Sequence, residues 1–366
     1  MATNSNTFSI TTLPAPGGGT PLWRQGMAVG EWRALANTRL SDVSGVLTVP
    51  GNTGRNSVVD TWNGACIDPA GKVYLLACGG HADYAGNEVY KLDCTQDVPA
   101  WELAINTTPS GSIGGNATSG YYADGRPCST HTYAQQVYVP EIGRAMRFGV
   151  GARYSDGYDL YKVDGFNPAS STWDAAGTYP DIAAASVNQQ SWSTARDPAT
   201  GNVWIPVKDP SGSQAVYRWN RATNTMTKVT NHNFYGYESC GAVDTTRNKV
   251  LFCRASENLL IDIATVATGG VGCTQPSIAN GGPGTANGML YSAAMDRYIY
   301  RSNAAGGTVR QIDPATLSSS AFTTTGGGSI PARPNGCYNA FGYFEAYGCA
   351  IYVAAYAGNV WALRLH

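Results

Sequence analysis

Thr61 to Ala104 reads TWNGACIDPAGKVYLLACGGHADYAGNEVYKLDCTQDVPAWELA, and this stretch decides the fold. Thr61–Asp68 leads through the turn Pro69-Ala70-Gly71 into Lys72–Cys78, and Gly79-Gly80-His81 ends that second strand. Asn87–Asp93 follows as a third strand, and Trp101-Glu102-Leu103 closes the unit. Short runs of Val, Tyr, Ile and Leu bounded by Asp-Pro, Gly-Gly and Gly-Asn are hairpin-linked strands. Helical periodicity is almost absent.

Outward from this unit the same order recurs: apolar strand, turn, strong strand, loop, third strand, weaker polar strand. Further copies begin near His131, Gln190, Glu238, Gly288 and Cys337, with hairpins such as QSWSTARDPATGNVWIPVK and ESCGAVDTTRNKVLFCR. Third strands follow in DLYKVD, AVYRWN, NLLIDI, TVRQID and NVWALRL. The spacing of about 45 to 70 residues suits one four-stranded blade plus loops. Six copies predict an all-β, six-bladed β-propeller over residues 30–366, preceded by an extension over residues 1–29. Seven blades remain open if residues 36–60 or 104–127 hold a degenerate copy. The last copy has only three strands, so Gly30–Leu35 (GEWRAL) is expected to supply its fourth and close the ring, removing exposed edges.

Composition narrows the function. The chain has 366 residues, 24 Lys+Arg against 25 Asp+Glu, and 13% charged residues, about half the usual share. With 11% aromatics it is not a disordered chain. No basic excess suits a phosphate backbone, so nucleic acid is not expected as a partner. No apolar run approaches the ~20 residues of a membrane helix, so no membrane is expected either. The N-terminus lacks a cationic start followed by an apolar stretch, which predicts no secretory signal and fits a cytoplasmic or phage-borne protein. A monomer is expected. The nine cysteines show no CxxC or Cys/His cluster and read mostly as buried thiols, with no metal site. Cys240 and Cys253 flank the turn 245–248 symmetrically and are expected to face each other as reduced neighbours. The Gly/Ser/Thr/Asn-rich insertion Ile105–Cys128 reads as a surface loop or as a lid over a cleft.

Candidate chemistry gathers at the ends of the second strands. His81, Arg153, Lys208, Arg254 and Arg301 end those strands in five successive copies, and Tyr356 stands at that point in the sixth. Basic groups at equivalent points of a ring would focus positive potential on one mouth, either as scattered solvated cations or as a cleft for an acidic polysaccharide. His81 and His131 fall at the same rim in adjacent blades and are candidates for proton transfer. Tyr237 and Arg254 meet at one edge of a hairpin, as a phenol beside a guanidinium that can clamp a carboxylate. Tyr133, Trp192 and Tyr338 add stacking faces for sugar rings, or pack between blades. GxSxG, HExxH, P-loop and pre-helix GxGxxG motifs are missing, which disfavours serine hydrolases, zincins, NTPases and dinucleotide enzymes.

At GGHADYAGNEVYKLD and THTYAQQVYVPEIGRAMRFG the sequence resembles the kelch-like propellers, and more narrowly the propeller polysaccharide lyases that include the ulvan lyases. That resemblance implies cleavage of a uronic-acid linkage by β-elimination, with His81, His131, Tyr237 and Arg254 as the matching catalytic residues. Tyr133, Arg153, Trp192, Lys208, Arg301 and Tyr338 would then bind substrate. Arg254 would stabilise charge on the carboxylate, His131 or Tyr237 would act as base, and His81 or Tyr237 as acid. No cofactor is required if arginine neutralises the carboxylate. The alternative is a non-catalytic propeller binding a glycan or a protein partner. A kelch-type copper radical oxidase would have to use His232, Cys240 and Tyr237.

Overall fold

The computed structural model describes residues 19–113, 119–154, 156–157, 160–182, 192–267 and 272–366. Twenty-four strands form six antiparallel sheets of four, a six-bladed β-propeller. Blade one holds β2 (Cys66–Asp68), β3 (Lys72–Leu76), β4 (Val89–Asp93) and β5 (Trp101–Ile105). Blade two holds β6 (Gln136–Val139), β7 (Arg144–Val150), β8 (Leu160–Asn167) and β9 (Thr172–Trp173). Blade three holds β10 (Ala195–Arg196), β11 (Val203–Lys208), β12 (Gln214–Asn220) and β13 (Thr225–Asn231). Blade four holds β14 (Cys240–Asp244), β15 (Lys249–Arg254), β16 (Glu257–Asp262) and β17 (Cys273–Thr274). Blade five holds β18 (Gly288–Ser292), β19 (Arg297–Arg301), β20 (Val309–Asp313) and β21 (Ser318–Phe322). Blade six holds β22 (Phe341–Phe344), β23 (Cys349–Tyr352) and β24 (Trp361–Arg364), completed by the N-terminal β1 (Trp32–Ala34).

The closure occurs where the sequence places it. Trp32 faces Leu363 and Ala34 faces Trp361 across the β1–β24 ladder. Gly30 enters this strand at φ +82°, and a Cβ there would stand 2.4 Å from the Thr323 carbonyl oxygen. Glycine is needed at that turn for both conformation and close approach. The register of blade four sets Cys240 opposite Cys253, both buried and reduced. Residues 36–60 contribute only a 3₁₀ turn at Leu40–Asp42 and a one-turn helix at Ser57–Asp60, so they form no blade.

The first strand of blade one is shorter than its apolar pattern suggests. Thr61–Ala65 stays outside the sheet because its polar side chains take up backbone groups. Thr61 Oγ1 donates to Ser57 O, Asn63 Nδ2 donates to the same oxygen, and Asn63 Oδ1 accepts from Thr132 N. Side chains of this kind compete with ladder hydrogen bonds. The core lies between blades, where aliphatic second strands meet aromatic neighbours. Trp192, Trp219, Phe148 and Ile205 share one such cluster.

The described part of the insertion is pinned down. Tyr122 Oη donates to Ala85 O, Tyr121 Oη donates to Asp164 Oδ1, and Asn87 bonds Thr107, Thr108 and Pro127.

Candidate functional site

Antiparallel order places two loop types on one face of the ring: those joining second to third strands, and those joining one blade to the next. We call this the upper face. All ten residues singled out in the sequence stand there, on such loops or at the strand ends beside them. They differ in how their side chains are used.

The first cluster lies between blades one and two. His131 is 4% exposed, and its Nε2 stands 3.0 Å from Asp83 Oδ2. Thr53 Oγ1 donates to the other oxygen of that carboxylate at 2.7 Å. The hydrogen bonds from His131 and Thr53 hold Asp83 below the usual carboxylate range, so Asp83 is ionised and accepts. Nε2 therefore carries the proton and Nδ1 the lone pair. Burial lowers the His131 pKa, Asp83 opposes that shift, and nearby His81 adds to it. The imidazole is thus neutral at pH 7. Trp62 packs against its ring at 5.1 Å. His81 is exposed, is held at φ +37°, and lies beside Gly157 of the next blade.

The centre of the face is plugged. His131 meets Tyr133 edge-on at 5.9 Å, and Tyr133 meets Tyr338 edge-on at 5.5 Å. Tyr338 Oη donates to Glu238 Oε1 at 3.2 Å. Tyr133, Glu238, Ala286 and Tyr338 all have positive φ, between 41° and 57°. Each stands two or three residues before the first strand of a blade. Left-handed backbone at non-glycine residues costs free energy and persists where surrounding structure enforces it. Here Tyr133 N donates to Trp62 O, Ala286 N to Glu238 O, and Cys337 N to Ala286 O, stitching the loops of different blades together. Asn339 Nδ2 of blade six donates to Gln136 O of blade two.

Beyond the plug, between blades three and four, lies the second cluster. Tyr235 and Tyr237 stack at 5.9 Å and 14°. The Arg254 guanidinium sits 5.0 Å from the Tyr235 ring and 6.0 Å from the Tyr237 ring, and Lys208 Nζ sits 5.8 Å from Tyr235. Glu257 is 3.9 Å from Arg254 Nη1. Arg254 Nε has no hydrogen-bond partner among the described residues. Burial raises the Glu238 pKa, against the opposing pull of Tyr338 and Arg254.

Five of the six predicted substrate-binding side chains are buried: Tyr133 and Tyr338 in the plug, and Trp192, Arg301 and Arg153 outside it. Trp192 is fully buried, stacked on Tyr161 and bonded through Nε1 to Phe148 O, so both of its faces belong to the blade interface. Arg301 is 1% exposed, lies 3.9 Å from the Tyr352 ring centroid, and donates to three backbone carbonyls. Arg153 is buried and pairs with Asp156. Asp83 and Trp62 are neighbours of His131 that sequence reasoning did not join to it, since 48 residues separate Asp83 from His131. Their signal is local: Asp83 shares the Gly-Gly-His loop, and Trp62 opens the blade that follows β1.

Among the described residues no group of three His, Cys, Asp or Glu side chains could hold a metal ion. His232 Nδ1 accepts from Phe234 N, so that nitrogen is engaged within its own loop. No protein-family model matches the chain, and no curated protein matches it. Solved structures do match. One, described as "Structure of YjhT", aligns over 69% of this chain and 74% of that chain, at 12% identity and a TM-score of 0.43.

Proposed function

We propose that the upper face binds a uronic-acid-containing polysaccharide and cleaves it by β-elimination. The observation that carries this reading is the patch formed by Tyr237, Arg254, Tyr235 and Lys208, where two stacked phenols stand beside two cations. Arg254 and Lys208 attract the uronate carboxylate, and the guanidinium fork matches it in geometry. Neutralising that carboxylate acidifies the proton on the adjacent carbon. The base removes this proton, and the C–H electron pair becomes the new C=C bond. The C–O bond to the departing sugar then breaks, and the acid protonates its oxygen. Tyr237 is placed to exchange a proton within this cluster. His81, the exposed imidazole, faces the next stretch of a chain laid across the plug, and Asp83 orients His131 behind it.

A second reading is binding without cleavage. It is favoured by the burial of His131 and by the Tyr133–Tyr338 pair that separates the imidazoles from Arg254. A panel of polyuronates followed in the ultraviolet separates the two. Cleavage yields unsaturated products, and their rate falls about 100-fold or more in Arg254→Ala and strongly in Tyr237→Phe. Retention of the polymer without unsaturated product supports binding alone, and no retention removes both readings.

A further inference from the structure

Blade five carries a second site on the same face, apart from both clusters. A cavity of about 350 Å³ opens between the loop leading into β18 and the loop joining β19 to β20. That volume is at the small end of ligand-binding cavities, roughly 300 to 1,000 Å³. Its lining includes two guanidiniums, Arg301 and Arg310, with Asn287, Tyr300, Ser302 and Thr308, and no carboxylate.

Neither arginine meets a carboxylate elsewhere among the described residues. Arg301 donates to the carbonyls of Ser302, Ala304 and Gly306. Arg310 donates through Nε to Tyr300 Oη and Ser319 Oγ, and through Nη2 to Asn280 O. These bonds fix the orientation of both groups without cancelling their charge. Nη1 of Arg310 takes part in none of them. Asn287, 7% exposed, also lines the cavity.

We propose that this cavity is a binding site for a small oxyanion, a sulfate or carboxylate group, either free or carried on a sugar. Two fixed positive charges favour the anion, Arg310 Nη1 and the Asn287 amide donate to its oxygens, and Thr308 and Ser302 line the rim. The site does not depend on the proposed lyase chemistry.

Calorimetric titration of the full chain with sodium sulfate, then with sodium glucuronate, tests this. The Arg254→Ala background keeps the second cluster from contributing, so a failure here is separable from failure of the proposed reaction. Two variants probe the cavity. Arg310→Ala removes the free donor, and Thr308→Asp places a carboxylate at the exposed rim while leaving the arginines intact. Arg221→Ala, on blade three, controls for net charge. Binding weakened at least tenfold in both cavity variants, and unchanged in the control, is expected. If glucuronate displaces sulfate, the site takes a sugar-borne group; sulfate binding alone assigns the free anion. No binding of either anion, or equal affinity in Thr308→Asp and the parent, overturns the proposal.

Discussion

The two faces of the ring use the same side chains differently. On the lower face, where first strands turn into second and third into fourth, the turns are short and closed by their own carboxylates and amides. Asp68 accepts from Ala70 N, Asp93 from Thr95 N, Asp197 from Ala199 N, Asp244 from Thr246 N and Asp313 from Ala315 N. Four arginines there meet carboxylates: Arg196 pairs with Glu141, Arg247 with Asp244 and Asp296, Arg297 with Asp313, and Arg144 with Asp174, while Arg221 and Arg364 donate to backbone carbonyls. Arg247 holds Asp296 far below the usual carboxylate range. On the upper face Arg55, Arg301, Arg310 and Arg333 meet carbonyls, hydroxyls and phenols instead. Arg153 with Asp156, Arg126 with Asp124 and Arg254 with Glu257 are paired exceptions. The lower face spends its charges on itself. The upper face leaves Arg301 and Arg310 without a carboxylate partner among the described residues, a local positive charge that suits an anionic ligand.

Three variants sharpen or break this contrast. The largest effect is expected from Arg333→Ala. Its guanidinium, 1% exposed, joins Val353 O of blade six to Val59 O and Asn63 O ahead of blade one. Removing it leaves buried carbonyls without donors and a cavity, at a cost of about 3 to 5 kcal/mol. Urea unfolding measures that loss, and a loss under about 1 kcal/mol would show that the arginine is not a tie between blades.

The next effect depends on pH. Burial lowers His232 from its ordinary 6.5 to about 4. The unfolded imidazole takes up a proton as pH falls through 6.5, and the folded one does so only near 4. Stability from this group is therefore complete above pH 6.5 and is lost as pH drops toward 4, by up to about 3 kcal/mol. Unfolding midpoints across that window should fall in the parent and fall less in His232→Gln; parallel slopes would exclude this group. The smallest effect belongs to the lower face. Arg196→Ala breaks a partly exposed bridge to Glu141 between neighbouring blades, and should cost about 1 to 2 kcal/mol with polyuronate binding intact.

Much of the ring can be read from the chain. The 45-to-70-residue repeat, the Asp-Pro turns and the Trp-bearing closing strand each follow from local chemistry, and Cys240 opposite Cys253 follows from a symmetric hairpin. The face on which each candidate sits is equally legible, because strand order alone assigns it. What the sequence does not carry is direction. Arg301 ends a strand as Arg254 does, and Trp192 stands on a loop of the same face, yet both turn into blade interfaces, since packing against Phe148 or Tyr352 depends on the neighbouring blade. The Asp83–His131 contact and the Tyr338–Glu238 bond join loops of different blades, 48 and 100 residues apart. The first strand of blade one misled for a related reason: Asn63 and Thr61 find backbone partners that an alternating pattern does not reveal.

The most direct test of the account compares the faces under one ligand. Calorimetric titration with a polyuronate oligosaccharide should show binding to the parent chain. Affinity should fall tenfold or more in the upper-face variant Arg254→Ala, and stay unchanged in the lower-face variant Arg196→Ala. Equal losses in both variants, or a loss confined to Arg196→Ala, would contradict the assignment of the upper face as the binding surface.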